Sequence, residues 1–180
     1  MVVEDVLPEM NSLLCEVIKD MFDREFISGS AEVKSVILPP AGKYIAYIQL
    51  SSNRVEGELI FSFNKEAAES LLNSTEFNTK NDIHERKLMH SILGKIANVV
   101  ASELIDHHSF KSIFGHVHMH PSVVWDSEAP TEGCIPLRAG WAGYVENGNE
   151  CIKTFISCSK THLLEVTETD FTQPAIIKVS

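Results

Sequence analysis

The stretch "HSILGKIANVVASELID", residues 90–106, is the part of the chain whose reading decides the fold. With Leu88 and Met89 just ahead of it, Ile92, Leu93, Ile96, Val99, Val100 and Leu104 recur at steps of three and four. That is the spacing of a wide apolar stripe on an α-helix, and it predicts a long helix from about Ile83 to Asp106. Ser91, Lys95, Asn98 and Ser102 fall at i, i+4, i+7 and i+11, so they share the opposite edge. A solvated polar face is the ordinary explanation of such an edge. Asn and Ser are mediocre helix formers, however, and Gly94 and Ala97 place small residues between the apolar ones.

Upstream, residues 4–23 put Leu7, Met10, Leu14, Val17, Ile18 and Met21 along one helical stripe, with Pro8 tolerable in a first turn. Strand-like segments follow at "AEVKSVIL" (31–38), "YIAYIQL" (44–50) and "GELIFSF" (57–63), separated by turn signals. "NKEAAESLLN" (64–73) reads as a short helix, and the polar "STEFNTKND" (74–82) leads into the long one. Downstream, "FGHVHMHP" (114–121) reads as a strand ended by Pro121, which has no N–H for a ladder. "CIPLRAGWAGYV" (134–145) and "ECIKTFISCS" (150–159) read as a hairpin turning at "NGN". The order of elements predicts an α+β fold with a largely antiparallel sheet and helices on one face. No linker or internal repeat stands out, so residues 1–180 are expected to form a single domain.

With 44% hydrophobic residues the chain can bury a real core. No run approaches 18 consecutive apolar residues, and the N-terminal "MVVEDVLPEM" lacks the basic and apolar regions of a secretory signal. A cytoplasmic location without a membrane role is the expectation. The formal net charge of −10 disfavours nucleic-acid backbones and anionic lipid as partners, and leaves room for a protein partner. Cys15, Cys134, Cys151 and Cys158 show no CxxC spacing and read as reduced, semi-apolar packing residues. Trp125 and Trp141 read as core or interface anchors, and "WDSEAPTEG" (125–133) as a solvated loop.

The segment "SILGKIANVVAS" resembles the signature helix of the CheX/CheC/FliY family of chemotaxis phosphatases. The family pattern is Asp or Ser, three residues, Glu, two residues, Asn, then Pro after twenty-two more. Ser91 takes the first place, Asn98 the amide and Pro121 the proline, with residues 99–120 between the last two. "VEGELIFSFNKEAAESLL" (55–72) is similar to the strand and short helix that precede this helix in CheX. The resemblance covers roughly residues 5–160 in element order. It implies a CheX/CheC-like α+β fold and, as partner, a phosphorylated CheY-like receiver domain whose aspartyl-phosphate is hydrolysed. Asn98 would be the catalytic residue, since an amide both donates to and accepts from the attacking water. Ser91, Lys95, Ser102 and Pro121 would be partner-binding. No cofactor of its own is implied, because Mg²⁺ is carried by the receiver. Some relatives of this fold dimerise, so a homodimer is compatible with it.

Two positions depart from the family. Lys95 stands where the pattern has Glu, the residue that pairs with a receiver lysine, so an attraction becomes a repulsion. Ser102 stands where CheX proteins commonly have Gly. A second copy of the motif, as in CheC, is not apparent: Asn11 in the first helix is preceded at three residues by Pro8. A non-catalytic receiver-binding adaptor is therefore the first alternative. A metal-binding module is the second, because His116, His118 and His120 would share one face of a strand.

Overall fold

The computed structural model describes residues 6–29, 34–36, 42–53, 55–75, 82–126 and 140–160. Helix α1 (Val6–Phe22) buries Val6, Leu7, Met10, Leu14, Val17 and Ile18, the stripe expected from its periodicity. Asp23, at φ 53°, ends it. Two short strands follow, β1 (Ile27–Ser28) and β2 (Lys34–Val36), then β3 (Tyr44–Ser51) and β4 (Val55–Phe63). Helix α2 (Lys65–Asn73) starts at Asn64, whose Oδ1 accepts from the Ala67 N–H at 2.9 Å. The same oxygen accepts from the Cys151 N–H at 3.0 Å, so one cap also ties the helix to the sheet.

Helix α3 (Asp82–Asp106) is the long helix of the opening stretch. It has the length and mean hydropathy (1.3) of a membrane-crossing helix, yet half of its apolar window is buried inside the domain. Met89, Leu93, Ile96, Ala97, Val100, Ala101 and Leu104 are all buried. Its apolarity is that of a core helix. The chain continues through α4 (His108–Phe114), β5 (His118–Met119), β6 (Val123–Asp126), β7 (Gly140–Asn147) and β8 (Glu150–Lys160).

"FGHVHMHP" is not the continuous strand its alternation suggests. Phe114 closes α4, Gly115 at φ 71° caps it, and only His118 and Met119 pair, with Ser51 and Leu50 of β3. The helical pull of Phe110 and Phe114, buried four residues apart with rings 4.9 Å apart, overrides the strand pattern. Strand β6 was hidden behind Pro121, and α4 behind the histidines. The expected hairpin is present as β7–β8, turning at Gly148 with φ 62°. Residues 127–139, including Cys134 and most of the expected acidic loop, lie outside the described residues.

All described strands join one antiparallel sheet in the order β1-β7-β8-β4-β3-β5, with β2 also on β7 and β6 also on β3. Hairpins β3–β4 and β7–β8 meet through the long β4–β8 pairing, and each outer hairpin strand takes a short strand from the other half. Each half thus runs helix, short strand, hairpin, and the two are related by a twofold in topology. The sequence reading found no repeat, because the equivalent elements share no residue pattern.

Helices α1 and α3 pack side by side on one sheet face, over Ala46, Ile48, Leu59, Phe61, Val145, Ile152 and Ile156. A smaller cluster of Ile45, Ile60 and Phe155, with Tyr47, Trp125 and Ala142 against it, occupies the other face. Cys15, Cys151 and Cys158 are free thiols, and burial raises the first two above the ordinary thiol range. Asn11 is fully buried in α1 and accepts from the Thr154 hydroxyl at 2.7 Å. Thr154→Val removes that donor and strands the carbonyl, so it should cost about 1–3 kcal/mol, read by chemical denaturation. Pairing it with Asn11→Leu should recover most of the loss.

Candidate functional site

The edge of α3 predicted from sequence is exposed in the structure. Ser91, Lys95 and Ser102 face solvent and make no hydrogen bond or ion pair with a described residue. Asn98 is half-buried and held: its Oδ1 accepts from the backbone N–H of Ser122 at 2.9 Å. A backbone N–H can only donate, so the atom facing Ser122 must be the amide oxygen, and this fixes which way the amide points. The Nδ2 group is left with both N–H donors ungiven among the described residues. Oδ1 retains a second lone pair. A fixed amide with unspent donors and acceptor can hold one water molecule in a set orientation.

Pro121 and Ser122 form the segment that crosses α3 just before β6. The Ser122 hydroxyl donates to the Gly94 carbonyl at 3.1 Å, and its N–H donates to Asn98. Gly94 permits this crossing, since a Cβ there would lie 3.0 Å from Ser122 Oγ and 3.3 Å from Val124 Cγ2. Ala97, fully buried, fills the next position inward. The small residues of the opening stretch therefore admit the Pro121 segment, and the spacing from Asn98 to Pro121 sets the length of chain that returns to the helix. Pro121 is exposed at its rim.

Ser122, whose N–H holds Asn98, is the residue of the candidate site that sequence reasoning missed. Its signal was adjacency to Pro121, but a backbone N–H carries no side-chain signature. Ser102 is exposed, and its side chain bonds to no described residue. Asn11, the only amide of the first helix, is sealed in the core and makes no second copy of the site.

Beside this edge, Asp126 at the end of β6 collects Lys43 at 3.3 Å and Arg86 at 3.9 Å. His90 meets the Tyr44 ring edge-on, with centroids 6.1 Å apart. Burial, and then the Arg86 guanidinium, hold the His90 imidazole below its ordinary pKa. Burial and then Asp126 push the Tyr44 hydroxyl up.

The three alternating histidines are not brought together as a ligand set. His116, His118 and His120 are exposed; His120 Nε2 lies 3.0 Å from Ser51 Oγ, while His116 and His118 line a cleft of about 480 Å³ with Ser52 and Asn53. The strand that would have aligned them is two residues long. Among the described residues, no group of three or more His, Cys, Asp or Glu side chains is placed to hold a metal ion.

The same arrangement of helices and sheet is found in solved chemotaxis proteins. The fold is CheX/CheC-like. The CheX crystal structure from Desulfovibrio desulfuricans matches with a TM-score of 0.70 at 12% identity, over 86% of this chain and 99% of that one. CheX from Vibrio vulnificus matches with a TM-score of 0.67 at 15% identity, over 86% and 99%. The CheX of the CheX–CheY–BeF₃–Mg²⁺ complex from Borrelia burgdorferi matches with a TM-score of 0.63 at 19% identity, over 85% and 97%. No protein-family model and no curated protein sequence matches this chain.

If the Asn98 carbonyl is what orders the Pro121 segment, Asn98→Ala should expose the Ser122 amide. Hydrogen exchange at Ser122 should accelerate, with a stability loss of roughly 1 kcal/mol. An unchanged exchange rate at Ser122 would show that the segment is held by the Gly94 contact alone.

Proposed function

We propose that this chain is a chemotaxis protein that docks a phosphorylated CheY-type receiver domain through α3 and hydrolyses its aspartyl-phosphate. The observation that carries the proposal is Asn98. Its amide is fixed by the Ser122 N–H, keeps its donors, and sits at an exposed helix edge at the motif position. Support comes from the fold it shares with a CheX crystallised together with CheY.

In this reading the receiver supplies the acyl phosphate and its own Mg²⁺, whose charge stabilises the transferring group. This chain supplies position. The Asn98 Nδ2 donates to the attacking water while Oδ1 accepts from it, which sets the water in line with the phosphorus. Pro121 and Ser91, at the rim of the same edge, bound the surface that the receiver covers. No general base from this chain is needed, because phosphoryl transfer of this kind depends mainly on positioning and electrostatics.

A second reading is favoured by one residue. Lys95, exposed and unpaired among the described residues, offers three donors and no acceptor where the motif has a carboxylate. A chain with that change suits a receiver-binding adaptor that engages the phosphorylated form without turning it over.

Loss of phosphate from a panel of phosphorylated CheY-type receivers separates the readings. Asn98→Ala should abolish the acceleration given by the wild-type chain, a loss on the order of 100-fold for a positioning group. Lys95→Glu should raise the rate on any receiver that carries the usual docking lysine. Binding without acceleration by the wild type selects the adaptor; neither binding nor acceleration across cognate receivers overturns both.

A further inference from the structure

Between Ile83 and Ser102, α3 carries Arg86, Lys87 and Lys95 but only one carboxylate, Glu85. The structure pairs one of these cations and leaves the lysines without an ion pair to a described residue. Glu85 and Arg86 line a cleft of about 270 Å³ with Tyr44, Glu69 and Asp126, and Arg86 faces Asp126 there. Lys87 and Lys95 are exposed, Lys87 sharing a second cleft with Ile83, Arg86 and His90, and neither makes an ion pair with a described residue.

Residues 83, 87, 91 and 95 follow one another at steps of four, each turning only about 40° around the axis. Asn98 and Ser102 fall within the same arc. Ile83, Lys87, Ser91, Lys95, Asn98 and Ser102 therefore form one ridge along the helix, exposed throughout except for the half-buried Asn98. Ile83, 67% exposed, gives the ridge an apolar end. No carboxylate lies on it between Ile83 and Ser102, although the whole chain has a formal net charge of −10, and Asp106, one turn beyond Ser102, is paired with Lys111 at 2.8 Å.

That contrast has a consequence for docking. An acidic partner is repelled by the net charge of this chain and attracted by Lys87 and Lys95 along the ridge, which favours its docking there. A partner presenting a lysine to Lys95 is repelled at the point of contact instead. Building on the receiver-docking reading above, we infer that the ridge docks a receiver surface that presents carboxylates to Lys95 and Lys87. The polarity is the reverse of the pairing that the CheX/CheC resemblance implies, in which a phosphatase Glu meets a receiver lysine. The acidic counterpart and the Lys95 position then form a matched pair, and specificity among receivers follows from charge.

The test uses the full chain and a CheY-type receiver held with beryllofluoride and Mg²⁺, in two forms. One keeps its docking lysine and the other has that lysine changed to glutamate. Calorimetric titration should show the wild-type chain preferring the glutamate form by about tenfold. Lys95→Glu should invert that preference, Lys87→Glu should weaken binding to the glutamate form, and added salt should reduce the difference. Lys153→Glu, an exposed change on β8, should leave the preference as it is. Equal affinity for both forms, unchanged by Lys95→Glu, would overturn the charge assignment while leaving receiver docking intact. Binding to neither form, by the wild type or any variant, would overturn the charge assignment and the docking reading together.

Discussion

The pairing of β4 with β8 is the constraint on which the rest of the molecule depends. It runs from Val55–Lys160 to Phe63–Ile152 and joins two hairpins that are distant in sequence. Leu59, Phe61 and Ile156 on one side of that ladder make the floor on which α1 and α3 lie. Because each outer hairpin strand accepts a short strand from the opposite half, β6 is carried back alongside β3 and under α3. The return of residues 121–122 to the helix edge follows from that exchange, and so does the fixed amide of Asn98.

The site is built with very few polar contacts. One backbone N–H orients the Asn98 side chain, one hydroxyl bonds the Gly94 carbonyl, and one missing Cβ lets the segment approach. Ser91, Lys95 and Ser102 at the edge are exposed, and their side chains bond to no described residue. Such a surface is suited to a reaction whose electrostatic components come from a partner, with this protein contributing geometry. It also means that Lys95, exposed and without an ion pair to a described residue, contributes little to the stability of the fold.

The twofold topology shows how one architecture supports unequal halves. α1 and α3 both carry an asparagine, yet Asn11 is sealed against Thr154 while Asn98 stands at the surface. A buried amide bonded to a strand hydroxyl fixes how the first helix sits on the sheet. An edge amide bonded to a loop N–H is available for chemistry. The same residue type serves packing in one half and is presented at the surface in the other, and burial is what separates them.

The sequence by itself determined α1, α2 and α3, because a period of 3.6 with apolar residues at steps of three and four survives whatever packs against it. It likewise determined the β7–β8 hairpin and the turn between β3 and β4, whose turn residues act locally, and the shared edge of Ser91, Lys95 and Asn98 on one helix. Only the tertiary structure decided that the histidine string is a helix cap, a bend and a two-residue strand, since the aromatic packing of Phe110 and Phe114 competes with a local alternation. Only it revealed Ser122 as the partner of Asn98, because a main-chain donor leaves no trace in residue identity. And only it showed which cations of α3 are paired, Arg86 facing Asp126 while Lys87 and Lys95 make no ion pair with a described residue. Helical periodicity names the faces of a helix; what covers each face is settled by elements far away in the chain.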